Sequence, residues 1–136
     1  MKKLIVFLTA LAVIFTATAS FASNWVEVDR NDDTIFSIDL DSVKDNGTTF
    51  RVWEKQIYRT AKVQKKRFGA SYALLYYEFE MNEASRRIIS YTLYDKNGNF
   101  IYSGGESYNY EFYPPGSIGE AIWQIGKSIV VKQRQN

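Results

Sequence analysis

Residues 86–103, Arg86-Arg87-Ile88-Ile89-Ser90-Tyr91-Thr92-Leu93-Tyr94-Asp95-Lys96-Asn97-Gly98-Asn99-Phe100-Ile101-Tyr102-Ser103, read as two strands joined by a tight turn. On the first arm Ile89, Tyr91 and Leu93 form one row with polar residues between them, the period of a strand with a single buried face. Asn97-Gly98 then stands at the two central positions of the turn. That pair favours a type I′ hairpin, in which both central residues take positive φ. Gly104-Gly105 ends the second arm, which runs from Phe100 to Ser103. A lone hairpin is barely stable in water, so this one needs further strands beside it.

The sequence on its N-terminal side supplies them. Over Tyr72 to Met81, the residues Ala73, Leu75, Tyr77, Phe79 and Met81 make one row and Glu78 and Glu80 lie on the other, which predicts that only the odd-numbered face is buried. Thr48 to Tyr58 is a long strand carrying Phe50, Val52, Trp53 and Ile57. Trp25 to Asp29 and Thr34 to Leu40 form a hairpin about Arg30 to Asp33, and Asp41 to Gly47 is a turn or a single helical turn. Between the long strands, Arg59 to Ala70 is polar and reads as an exposed connection.

On the C-terminal side, Glu106 to Pro115 is rich in tyrosine but has no period, and Pro114-Pro115-Gly116 forbids regular pairing at its end. A helix starts at Ser117, an N-cap with Glu120 three residues on as a capping box. Ile118, Ala121, Ile122, Ile125 and Ile129 recur on its apolar stripe, with Trp123 and Val130 at the stripe's edge. The fold class is therefore α+β: two layers, an antiparallel sheet of about six strands packed against one C-terminal helix.

The first residues follow a different logic. Lys2 and Lys3 precede an uncharged apolar run, Leu4 to Phe15, and small residues follow to Ala22, the layout of a secretory signal peptide. Small-x-small rules allow cleavage after Ala19 or Ala22. The second leaves Trp25 close to a mature start at Ser23, so residues 1–22 are assigned to the signal and 23–136 to one domain. Among the 17 Lys+Arg, losing Lys2 and Lys3 leaves a number equal to the 15 Asp+Glu, so the exported protein is formally neutral. A whole-molecule field able to hold nucleic acid is then absent, and any electrostatic partner must use a local patch. After cleavage no membrane span is expected. The location read from the sequence is extracytoplasmic, periplasmic or secreted, with the cell surface as a further option that lacks a lipid-anchor cysteine.

The 136 residues contain no Cys and no His, which removes a disulfide framework, thiolate or imidazole metal sites, and every Ser/His/Asp or Cys/His constellation. No enzyme, metal site or cofactor is expected. Glu78 and Glu80, two apart on one strand, resemble a glycosidase pair only in spacing, because such a pair normally flanks a cleft from different elements. Two groups remain as candidate partner-binding residues. Arg59, Lys62, Lys65, Lys66 and Arg67 place several cations on one connection, where they could meet an acidic protein, a glycan sulfate or a lipid headgroup, or simply be solvated. Tyr108 and Tyr110, with Tyr102, Phe112 and Tyr113, could form an aromatic interface or cover the open end of the sheet as core. An exposed sheet edge could also pair two copies into a homodimer.

The order of Trp25, Ile38-Asp39 before Ser42-Val43, Val52-Trp53-x-Lys55, Tyr94-Asp95-x-Asn97-Gly98 and Pro115-Gly116-Ser117-Ile118-Gly119-Glu120 resembles the surface-adhesin protein E family over nearly all of residues 23–136. The resemblance implies an exported bacterial domain with an antiparallel sheet against a C-terminal helix, and an adhesin-like, non-enzymatic role in binding a protein partner such as host extracellular-matrix or plasma proteins. Where many members of the family carry cysteines, this chain has Phe79-Glu80-Met81 and Gly126-Lys127-Ser128. The missing lipid anchor favours the alternative, a periplasmic domain that binds a small ligand or an envelope polymer. N-terminal sequencing of the exported protein is expected to begin at Ser23; a start at Met1 or Lys2 would overturn the signal assignment.

Overall fold

The computed structural model of the chain describes residues 23–136, so the signal segment lies outside the described residues. Strands β1 (Trp25–Arg30), β2 (Thr34–Asp39), β3 (Lys44–Asp45), β4 (Thr49–Tyr58), β5 (Tyr72–Glu80), β6 (Ser85–Tyr94), β7 (Phe100–Gly104) and β8 (Glu111–Phe112) form one antiparallel sheet. Its order is β1-β2-β4-β5-β6-β7, with β3 on β4 and β8 on β6. Helix α1 (Ala61–Lys66) bridges β4 and β5, and α2 (Ile118–Arg134) closes the chain. The expected α+β architecture is present, with two more strands than expected. Both extra strands are two residues long, too short to leave a period in the sequence.

Other differences have local causes. Only Gly98 has positive φ (+80°) in the β6–β7 connection, so the turn is not type I′. Asp95 accepts hydrogen bonds at Oδ1 from the amides of Asn97 and Asn99, and its carbonyl accepts one from Gly98. An aspartate at the first position and a glycine at the left-handed one favour this wider loop. In β6 the pairing steps from Ser90↔Tyr76 to Ile88↔Tyr77, so Ile89 sits in a bulge. The inner row of β6 is consequently Arg86, Ile88, Tyr91 and Leu93, not one that continues through Ile89. The polar connection is also partly helical: Thr60 caps α1, its Oγ1 accepting from the Val63 amide. With Val63 as its one large apolar residue, α1 carries no amphipathic period to read.

The inner face of the sheet is where both helices pack. Phe50 and Phe79 stack at 5.1 Å between ring centroids, and Ile38, Val52, Ile122 and Val130 complete a fully buried set around them. Val130 therefore belongs to the centre of the α2 stripe rather than its edge. The buried line of α2 is Gly119, Ile122, Gly126 and Val130, rotated from the line of isoleucines because the two glycines admit aromatic rings beneath the helix. A Cβ at Gly126 would lie 2.2 Å from the Phe50 ring, and one at Gly119 2.9 Å from that of Tyr113. Trp123 donates from Nε1 to the Glu80 carbonyl at 2.9 Å, and Arg134 grips Asp45 through two nitrogens at 2.7 Å, fixing α2 to the sheet at both ends.

Gly126→Ala should therefore destabilise the domain by about 2 kcal/mol in chemical denaturation, although alanine is the better helix former by about 1 kcal/mol. The same change at Gly105, where a Cβ meets nothing within 4 Å, should cost much less.

Candidate functional site

β4 delivers the chain to the rim of the sheet, and the residues after Tyr58 are tied down at once. Arg59 donates its amide to the Asp33 carbonyl at 2.7 Å, Thr60 Oγ1 donates to Asp33 Oδ1 at 2.8 Å, and Gln64 Nε2 donates to the Tyr58 carbonyl at 2.9 Å. Val63 points down onto Tyr58, Ala70, Ala73 and Leu93, a second, smaller core. Lys62, Lys65, Lys66 and Arg67 are left in solvent. None of them, nor Arg59, joins an ion pair among the described residues. Arg59 is set apart from the others, since its charge helps to lower the pKa of Glu27 on β1, behind the main contribution of Arg30.

The helix ends in a strained step. Phe68 has φ +58° and Gly69 φ +81°, and the Gly69 amide donates back to Gln64 at 2.8 Å. A left-handed phenylalanine is uncommon, and here it holds a ring that is 73% exposed, 5.7 Å from Tyr102. Tyr102 of β7 is also exposed, so Phe68 and Tyr102 form an aromatic pair beside Lys66 and Arg67, whereas Phe100 pairs with Tyr94 on the outer face.

The tyrosine-rich segment divides between surface and core. Tyr113 is buried against Phe79, whereas Tyr108 is 83% and Phe112 77% exposed. Tyr110 reaches the opposite, outer face of the sheet and donates its hydroxyl to Glu78 Oε2. Arg51 Nε (3.0 Å) and Arg87 Nε (2.7 Å) donate to the same carboxylate. Burial pushes the Glu78 carboxyl up, but these three donors outweigh it and hold the pKa at about 2. Glu78 is thus buried and fully engaged, contrary to the expectation that only the odd face of β5 is covered, and it has no free oxygen for general-base work. The sequence thus places Tyr108 and Tyr110 in one candidate set with the α1 cations, but Tyr110 lies across the sheet from them.

Two features were not legible residue by residue. The outer face carries Trp53 stacked on Tyr76 at 4.6 Å, Tyr72 on Tyr94 at 5.0 Å, and Lys55 4.5 Å above Trp25. A groove of about 510 Å³ runs between Trp25, Lys55, Ile57, Tyr72, Leu74 and Lys96. Alternation on both faces of β4 and β5 was the available signal. On the inner face, Glu54 is fully buried; its Oε2 accepts from Gln56 Nε2 at 2.8 Å and its Oε1 lies 3.8 Å from Arg86 Nη1. Burial raises the Glu54 pKa against the opposing pull of Arg86 and Gln56. This polar seam separates the core under α2 from the one under α1, and beside it a cavity of about 310 Å³ opens beneath Lys66, Arg67 and Phe68.

Comparison with protein families matches residues 25–126 to Surface-adhesin protein E. The chain belongs to that family, whose members are adhesin-like surface proteins. Comparison with curated proteins and with solved structures gives no match. Among the described residues no helix is long and apolar enough to cross a membrane.

Glu78 yields a pH prediction. Its folded pKa lies below the ordinary 4.5, so its contribution is full above that value and is lost as pH falls towards 2. Urea unfolding at about pH 6 and about pH 2.5 should show the natural protein losing on the order of 2 kcal/mol more than Glu78→Gln across that interval.

Proposed function

We propose that this is an exported, non-enzymatic binding protein that contacts an acidic protein partner, such as a host extracellular-matrix or plasma protein, through the rim formed by α1 and β7. The observation that carries this reading is the juxtaposition of four unpaired cations with an exposed Phe68 held outward at positive φ. Charges on such a rim steer encounter and select an acidic surface, and exposed aromatic rings supply the desolvated contact that charges alone lack. Family membership supports an adhesin-like role outside the cytoplasm. Tyr102 extends the contact, while Tyr108 would meet a partner only if it wrapped round the edge of the sheet. The unpaired backbone of β1 and β7 is the surface on which a homodimer would form.

The test is binding to a panel of purified matrix and plasma proteins by interferometry across a salt series, with protease shaving of intact cells to establish display. Lys62→Glu/Lys65→Glu should weaken binding about tenfold and flatten its salt dependence. Phe68→Ser should weaken it without changing the salt slope. Undiminished, equally salt-sensitive binding by the double variant, or protection from shaving, would overturn the reading.

A further inference from the structure

We infer that the cavity beneath α1 is a binding site for a small amphipathic anion, a carboxylate with a straight alkyl tail. The cavity shares Lys66, Arg67 and Phe68 with the proposed partner-binding rim, and what sets it apart is an apolar floor on the inner face of the sheet that a protein partner on the rim would not reach.

The cavity exists because neither helix can fill this part of the sheet. α2 is seated on Phe50 through Gly126, at the other end of the inner face. α1 spans six residues and sends down only Val63. The floor left between them is made by Leu75 and Tyr77 of β5 and by Ile88, Tyr91 and Leu93 of β6, the last three turned to one face by the bulge at Ile89. At about 310 Å³ the space is at the lower end of small-molecule sites, which are similarly apolar with few polar groups at the mouth.

The mouth sets the charge of the ligand. Lys66 and Arg67 line it, both free of ion pairs among the described residues, and the Arg67 guanidinium sits 5.9 Å from the Tyr58 ring centroid. Among the described residues no carboxylate lines the cavity. The nearby Glu54 lies behind Gln56, whose Nε2 donates to it and whose Oε1 accepts from the Tyr58 hydroxyl, and its charge faces Arg86. The pocket therefore presents a positive rim above an apolar floor. Phe68, on the rim, offers an apolar wall to a tail entering past the cations. A cationic ligand meets repulsion at the mouth, and a neutral one forgoes the charge-assisted bond that Arg67 can make.

The test is calorimetric titration with octanoate, decanoate and dodecanoate below their micellar concentrations, beside decanol and anionic phospholipid vesicles. Each added methylene should tighten binding about three- to fourfold until the cavity is full. Decanol should bind at least about tenfold more weakly than decanoate, and Arg67→Glu, an exposed change that leaves the fold intact, should weaken decanoate by a similar factor. Leu75→Trp should abolish binding by filling the floor while leaving partner binding intact, and Lys62→Glu/Lys65→Glu should leave decanoate affinity unchanged. Absence of saturable binding by about 5 mM, far weaker than the buried methylenes predict, would overturn the inference. So would an affinity indifferent to chain length, or binding to vesicles alone, which would mark the rim as a lipid-facing surface.

Discussion

The α2 backbone passes directly over the ring of Phe50, and this approach is possible only because residue 126 has no Cβ. That contact sets the height and position of the helix on the sheet. Phe50 in turn stacks on Phe79, and Tyr113 comes in edge-on, so one glycine positions three aromatic rings and the helix that caps them. It also decides what stays uncovered. A helix anchored over β4 at Phe50, and tethered to Glu80 and Asp45, cannot reach the end of the sheet at Tyr58 and Leu93.

The uncovered part is bounded by charge. Glu54 and Arg86 face each other across the inner face at 3.8 Å, further than a good hydrogen bond, with Glu54 Oε1 and Arg86 Nη1 lacking other partners among the described residues. A pair held this loosely adds little net stability and would be costly to break from one side. What it does is separate two cores, one closed by a long helix and one by a short helix with an open cavity beside it. The outer face resolves its charge differently: Glu78 takes three donors at short range, and Arg87 continues to the Ser107 carbonyl, tying the edge-wrapping segment 105–110 to the sheet.

In this chain of the surface-adhesin protein E family, with no cysteine and a formal net charge of only +2, positive charge acts through local arrangement. The arrangement here concentrates unpaired cations on α1 and its C-cap, where Lys66 and Arg67 immediately precede the strained turn that exposes Phe68. The arginines of the central strands are engaged instead: Arg51 and Arg87 with Glu78, Arg86 with Glu54 and the Tyr77 ring.

The sequence by itself determined the kinds of element and most of their extents. Period-two rows in β2, β4, β5 and β6 and the Ser117 cap with its apolar stripe are local signals, set by residues close in the chain. It also determined the chemistry that is missing, since a chain without Cys or His has none of their reactions. The tertiary structure decided everything that depends on residues distant in sequence. Asp95 selected a wider turn than Asn97-Gly98 suggests; the bulge at Ile89 turned Arg86 and Ile88 inward; and a carboxylate on the face read as solvated, Glu78, was buried by Arg87 and Tyr110 from other segments. The α1 cations were legible as a cluster because they fall within six residues, 62–67, whereas the cavity beneath them was not. Its lining comes from three strands, and it is open only because Gly126 seats α2 elsewhere, a packing outcome that no local pattern encodes.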